Sequence, residues 1–141
     1  MISQTSEYAL RAMVFLAEHR DGLQAIPQIA EATKVPASYL SKVMQNLAKA
    51  GLVHSQRGMH GGFSLTRGNE DLTIYDIVQA VDPIQRITKC PLDLPAHAQE
   101  LCALHCRLDQ AAEMIENSFR ETTLAALLRK PIFGAVAEKT P

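Results

Sequence analysis

Between Lys34 and Arg67 the chain contains no aspartate and no glutamate, although the whole protein has 15 acidic and 14 basic residues and a formal net charge of -1. A segment without carboxylates can approach a polyanion without repelling it. No apolar run reaches the roughly 20 residues that span a bilayer, so no membrane helix is expected. The start, Met1-Ile2-Ser3-Gln4-Thr5, lacks a charged leader followed by an apolar block, and the cytoplasm is therefore the expected compartment. Cysteines number only 3, an odd count that cannot pair completely within one chain, so a disulfide framework is not expected either. Thiolate chemistry and metal ligation stay open. No cysteine, serine or carboxylate pair sits in a recognisable catalytic motif, and an enzyme is not expected.

What is present suffices for one ordinary core and an appendage, since the chain has 141 residues and 47% of them are hydrophobic. Ala9, Leu10, Met13, Leu16 and Ala17 recur at helical spacing, which predicts a first helix ending near Asp21-Gly22. Pro27 suits a first helical position, and Ile26, Ile29 and Ala30 give a short second helix that yields to a turn over Thr33 to Val35. A third helix runs from about Pro36 to Gly51, with Leu40, Val43, Met44 and Leu47 on one stripe.

The opposite face of that third helix carries Ser38, Ser41, Lys42, Gln45 and Lys49, with Tyr39 beside them. Hydroxyls and an amide can reach base edges while flanking lysines meet phosphates, although any solvated amphipathic helix also has a polar face. Two short alternating segments follow, Val53 to Arg57 and Phe63 to Thr66, joined by Gly58-Met59-His60-Gly61-Gly62. They read as a β-hairpin. A short helix, a turn, a longer helix and a basic hairpin in succession predict a winged helix-turn-helix that binds duplex DNA. Arg57 is placed to enter a minor groove and His60 to touch a phosphate, the alternative for both being a solvent-exposed loop.

Thr73 and Asp76 stand at capping-box spacing ahead of Ile74, Ile77, Val78 and Val81, predicting a helix that stops at Asp82-Pro83. Residues 84–107 then read as an irregular loop bearing Cys90, Cys102 and Cys106. Leu108, Ala112, Ile115, Phe119 and Thr122 alternate by four and three, the seam of a long helix that packs along another, here expected to be its homodimer mate. Packing of the same seam on its own domain is the alternative. Lys130-Pro131 is the expected end, and the last ten residues are expected to be loosely ordered. The fold class is thus mainly α with a small β-hairpin (α+β): a winged-helix domain over 1–83, a cysteine-bearing loop over 84–107, a dimerisation helix over 108–130 and a tail over 131–141.

Several stretches resemble the IscR/NsrR/RirA family of bacterial transcription regulators: Ser6-Glu7-Tyr8-Ala9-Leu10-Arg11, Tyr39-Leu40, Gly51-Leu52-Val53 and Arg57-Gly58-Met59-His60-Gly61-Gly62-Phe63-Ser64-Leu65. Cys106-Arg107-Leu108, leading into a helix that ends at Thr123-Leu124, is similar as well, and the likeness spans about residues 1–128. The resemblance implies a homodimer that binds a double-stranded operator, acts as a repressor, and holds an iron-sulfur cluster, 2Fe-2S or 4Fe-4S, which senses nitric oxide, iron or redox state. It implies Cys90, Cys102 and Cys106 as ligands, with Glu7, matching an acidic residue that reaches across the dimer in some members, completing the set. His105 and His97 compete with Glu7 for that place. The cysteine spacing departs from the family, with a longer first gap and a shorter second. Cys102 and Cys106 are nevertheless expected on one side of a helical turn, with Cys90 brought over by the proline-bounded loop. A zinc held by the three cysteines and His105, or a cluster-free regulator that senses by thiol oxidation or a small ligand, are the alternatives.

Overall fold

The computed structural model describes residues 2–134. Its first helix, α1 (Gln4–Glu18), begins where the Ser3 hydroxyl accepts the Ser6 N–H at 3.1 Å. Ala9, Ala12, Met13, Phe15 and Leu16 are all buried, so α1 is the central element of the core rather than a surface helix with one apolar stripe. It ends ahead of the expected Asp21-Gly22 stop. The His19 N–H bonds to the carbonyls of Phe15 and Leu16, and the chain then leaves to pair with the wing. Gln24 and Phe63 exchange backbone hydrogen bonds of 2.9 Å in both directions, a third strand position that local pattern did not reveal.

The second helix, α2 (Ile26–Thr33), has Pro27 in its first turn and stops at Lys34, whose φ of 60° is left-handed. α3 (Ala37–Lys49) buries the expected Leu40, Val43, Met44 and Leu47. Strands β1 (Val53–Gln56) and β2 (Gly62–Leu65) pair antiparallel, from Val53 opposite Leu65 to Gln56 opposite Gly62. α4 (Ile74–Val81) carries the expected capping box, in which Thr73 and Asp76 each accept the other's backbone N–H at 3.1 Å.

α5 (Ala103–Glu121) differs from the expected 108–130 helix at both ends. It takes in His105 and Cys106, and it stops when Thr122 and Thr123 become extended and join the chain ahead of α4. Ile74 N–H donates to Thr122 O, and Leu124 N–H donates to Leu72 O, each at 2.9 Å. A short α6 (Leu124–Leu127) follows, capped by the Thr123 hydroxyl, and drives Leu124 fully into the core. The physical reason is plain: pairing satisfies the backbone while Leu124 loses its contact with water, gains a continued helix could not supply.

The five-residue seam also divides. Ala112, Ile115, Phe119 and Thr122 are half-buried within the single chain, whereas Leu108 is exposed together with Leu104 and Met114. Part of the seam therefore packs at home and part is left free. The described start of the tail is docked, not loose: the Glu18 carboxylate accepts the N–H groups of Ile132 and Phe133, and Phe133 meets the Phe15 ring edge-on. Residues 135–141 of the expected loose tail lie outside the described residues.

Candidate functional site

Two clusters of sequence-predicted residues occupy different places in the fold. On α3, Ser38, Tyr39, Lys42, Gln45 and Lys49 are exposed, as are Arg57 and His60 on the wing. Burial of the apolar stripe forces the polar positions outward, so the same period that builds the core builds this exposed polar face. Ser41 is the exception on this face: it is half-buried and its hydroxyl donates to Ala37 O at 3.2 Å. Tyr39 is tied to α1, its hydroxyl 2.6 Å from that of Thr5 and its ring edge-on to Tyr8. Thr5 thus adds a polar link between α1 and α3, a contact without a signal in its own sequence context.

The wing tip turns through Gly58, whose φ of 108° favours glycine, and is closed by Gly61 N–H donating to Gly58 O at 3.0 Å. A side chain at Gly61 has no room, since its Cβ would fall 2.1 Å from Gln56 O. At the base, Arg20 donates to Arg67 O and to the Asn69 side chain, which braces the hairpin from α1's far end. That brace was missed because it joins residues 47 to 49 positions apart.

The cysteine loop is built by tight turns. Asp93 adopts a left-handed φ of 50° and its N–H donates to Cys90 O, reversing the chain directly after the first thiol. Pro95–His97 forms a single 3-10 turn, and Cys102 is the N-cap residue of α5. The Cys102 thiol lies 3.0 Å from His105 Nδ1; the Cys90 thiol lies 3.8 Å from His105 Nδ1 and 3.3 Å from His97 Nδ1. The donor atoms of Cys90, Cys102 and His105 are all within 4.8 Å of one another, with Cys90 buried. A cleft of about 220 Å³, lined by Lys89, Cys90, Asp93, His97 and Glu100 among others, opens beside them.

Cys106 does not join this group. Its sulfur accepts instead from Gln110 at 3.7 Å. Cys102 is the N-cap residue, with an extended ψ of 163°, and its carbonyl accepts the Cys106 N–H at 2.8 Å, so the two cysteines bound the first turn of α5 although only the Cys102 sulfur joins the gathered donors. Glu7 is likewise outside the group in the single chain, exposed and paired with Arg11 at 3.1 Å. The donors present, two thiols and an imidazole with a second imidazole adjoining, suit iron or zinc rather than a hard cation.

Residues 84–89 are held along α5 by Arg86, which donates to both Asp109 oxygens. Arg86, followed by the Ile87 N–H, holds the Asp109 carboxyl at about 2, and the same bond raises the guanidinium above its ordinary value. None of the described helices is long and apolar enough to cross a membrane.

A helix-turn-helix with a glycine-bounded wing and a carboxylate-free exposed face defines a winged-helix DNA-binding transcription regulator. The profile of the Rrf2 family, described as iron-dependent transcriptional regulator, matches residues 2–130, and the chain belongs to that family. It is 34% identical over 131 residues to a candidate HTH-type transcriptional regulator of Aquifex aeolicus, covering 91% of each chain. It is 30% identical to the HTH-type transcriptional regulator IscR of Photobacterium profundum, over 91% of this chain and 75% of that one. Among solved structures, IscR of T. potens superposes with a TM-score of 0.74 at 28% identity, over 92% of this chain and 86% of that one. CymR, the global cysteine regulator of B. subtilis, gives 0.73 at 27% identity, over 90% and 95%. The fold class and the IscR-type resemblance accord with the sequence expectations, and the matching family and the Aquifex relative are both described as transcriptional regulators.

Proposed function

We propose that the chain acts as a homodimeric repressor whose affinity for a double-stranded operator is set by an iron-sulfur cluster at the α5 N-terminus. The observation that carries this reading is the convergence of Cys90, Cys102 and His105 to within 4.8 Å. Those residues hold the centre in our reading; Cys106 and Glu7, ligands by resemblance, are not drawn to it in the single chain. When bound, a cluster supplies iron that reacts with nitric oxide or oxygen and is lost when iron is scarce. The chain's own part is mechanical. Residues 84–102 link α4 to α5, so ordering them shifts the free face of α5, with Leu104, Leu108 and Met114, on which the second protomer docks.

In that dimer, Ser38, Ser41 and Gln45 address base edges with Tyr39 setting their approach, Lys42 and Lys49 meet phosphates, Arg57 enters the minor groove and His60 touches the backbone. Operator titration under anaerobic conditions, with and without cluster, tests the reading: equal affinities reject cluster control.

A second reading, sensing by thiol oxidation, has its own observation. The Cys90 and Cys102 sulfurs lie within 4.8 Å of each other, and CymR of Staphylococcus aureus has been solved in an oxidized form. Colourless anaerobic protein whose DNA affinity changes on oxidation favours it.

A further inference from the structure

We propose that His97 is the fourth donor of this centre, so that Cys90, His97, Cys102 and His105 bind metal as a set of two thiolates and two imidazoles. The inference rests on the reading of the loop as a metal-binding sensor and goes beyond it by naming the ligand set.

The four donors form an unbroken run of close approaches: His97 Nδ1 to Cys90 Sγ at 3.3 Å, Cys90 Sγ to His105 Nδ1 at 3.8 Å, and His105 Nδ1 to Cys102 Sγ at 3.0 Å. Ligands on one tetrahedral ion, at about 2.3 Å for sulfur and about 2.0 Å for nitrogen, stand roughly 3.5 Å apart, and these three consecutive separations bracket that value. His97 touches Cys90 alone and stands outside the group whose donors all lie within 4.8 Å of one another, so binding requires its ring to close further toward Cys102 and His105. The backbone is shaped for this. The left-handed Asp93 turns the chain back after Cys90, Pro95 opens the 3-10 turn, and the His97 N–H donates to Leu94 O, which brings the ring over the Cys90 sulfur. His97 is half-buried while its acidic neighbours Asp93 and Glu100 are exposed and offer only hard oxygen donors. Cys106, the remaining thiol, is occupied by Gln110.

The donor chemistry narrows the occupant. Two thiolates with two imidazoles match a single tetrahedral ion, to which the spacing above applies directly, or a two-iron cluster in which thiolates and imidazoles ligate different irons and the pairs stand further apart. Metal loading releases the two thiol protons to solvent, and both imidazoles bind as neutral groups.

The test loads the full chain anaerobically with ferrous iron and sulfide, and in parallel with cobalt(II) alone, for the natural sequence, His97→Ala, His97→Cys and Cys106→Ala. Circular dichroism checks folding of each. Expected for a two-iron cluster are two imidazole nitrogen couplings in pulsed EPR of the reduced natural protein, one in His97→Ala, and a lower midpoint potential in His97→Cys. If only a single ion binds, the cobalt ligand-field bands shift in His97→Ala, which supports the same set. Cys106→Ala leaves either spectrum unchanged. A metal signal indifferent to His97 overturns this inference and leaves the sensor reading standing; a folded protein that takes up neither metal overturns both.

Discussion

Arg86 grips Asp109 through paired hydrogen bonds of 2.8 and 2.9 Å, and the same carboxylate accepts the Ile87 N–H at 2.8 Å. The first residues leading to Cys90 are thereby clamped onto α5 just past Cys106. Planar pairing of this kind fixes orientation as well as distance, so the clamp sets where the cysteine loop begins.

Asp109 is held at about 2, chiefly by the Arg86 hydrogen bond. Its folded value lies below the unfolded value of about 3.9, so the clamp contributes fully above about pH 4 and is lost as pH falls through about 2. The Ile87 amide chemical shift is expected to follow that acid titration and to be pH-independent in Asp109→Asn. Both groups are partly exposed, and added salt should weaken the effect. An Ile87 shift unaffected by Asp109→Asn would show that the clamp does not form.

Cys102→Ala and His105→Ala are each expected to cut bound iron and visible absorbance severely, while Cys106→Ala retains both. The gathered donors and the separate partner of Cys106 dictate this contrast. Loss of absorbance in Cys106→Ala alone would reverse the ligand assignment.

On DNA, Lys42→Ala should weaken binding similarly across sequences and reduce the slope of affinity against salt by about 1. Arg57→Ala should instead cost more on A·T-rich flanks, where a narrowed minor groove attracts the guanidinium. Fluorescence anisotropy on operators with A·T-rich and G·C-rich flanks separates the two; indifference of Arg57→Ala to the flank rules out minor-groove insertion.

Gly62→Ala should destabilise the fold by about 1–3 kcal/mol, because the added carbon falls 2.6 Å from the Gln24 carbonyl oxygen and forces the wing off its third strand position. Gly22→Ala, with nothing within 4 Å, is the control and should stay within about 0.5 kcal/mol. Urea denaturation midpoints measure both.

Leu108→Glu places a charge on the apolar face of α5, at a residue 49% exposed, without touching the buried core. Sedimentation velocity is expected to show a monomer that keeps its thermal transition but binds a two-half-site operator more weakly. An unchanged sedimentation coefficient would move the dimer interface elsewhere.

Much of the winged-helix half is legible in the sequence. The stripe of Leu40, Val43, Met44 and Leu47, the Thr73–Asp76 capping box and the glycine-rich wing tip all arise from contacts within a few residues, and a periodic pattern encodes such contacts directly. The candidate ligands were readable only as a pool. Three thiols and two imidazoles within one loop announce metal chemistry, but nothing in their spacing says that Cys106 stays out or that His97 closes on Cys90.

Local periodicity and side-chain chemistry therefore settled the recognition helix, the wing and the presence of a soft-donor loop. The end of α1, the break after Glu121, the division of the α5 seam and the gathering of Cys90, Cys102 and His105 were decided by the folded chain alone. Each depends on partners far along the sequence, as Gln24 on Phe63, Thr122 on Ile74 and Arg86 on Asp109. Backbone groups and charges take whichever distant partner removes them from unsatisfied burial, and that competition is decided only once the core has closed.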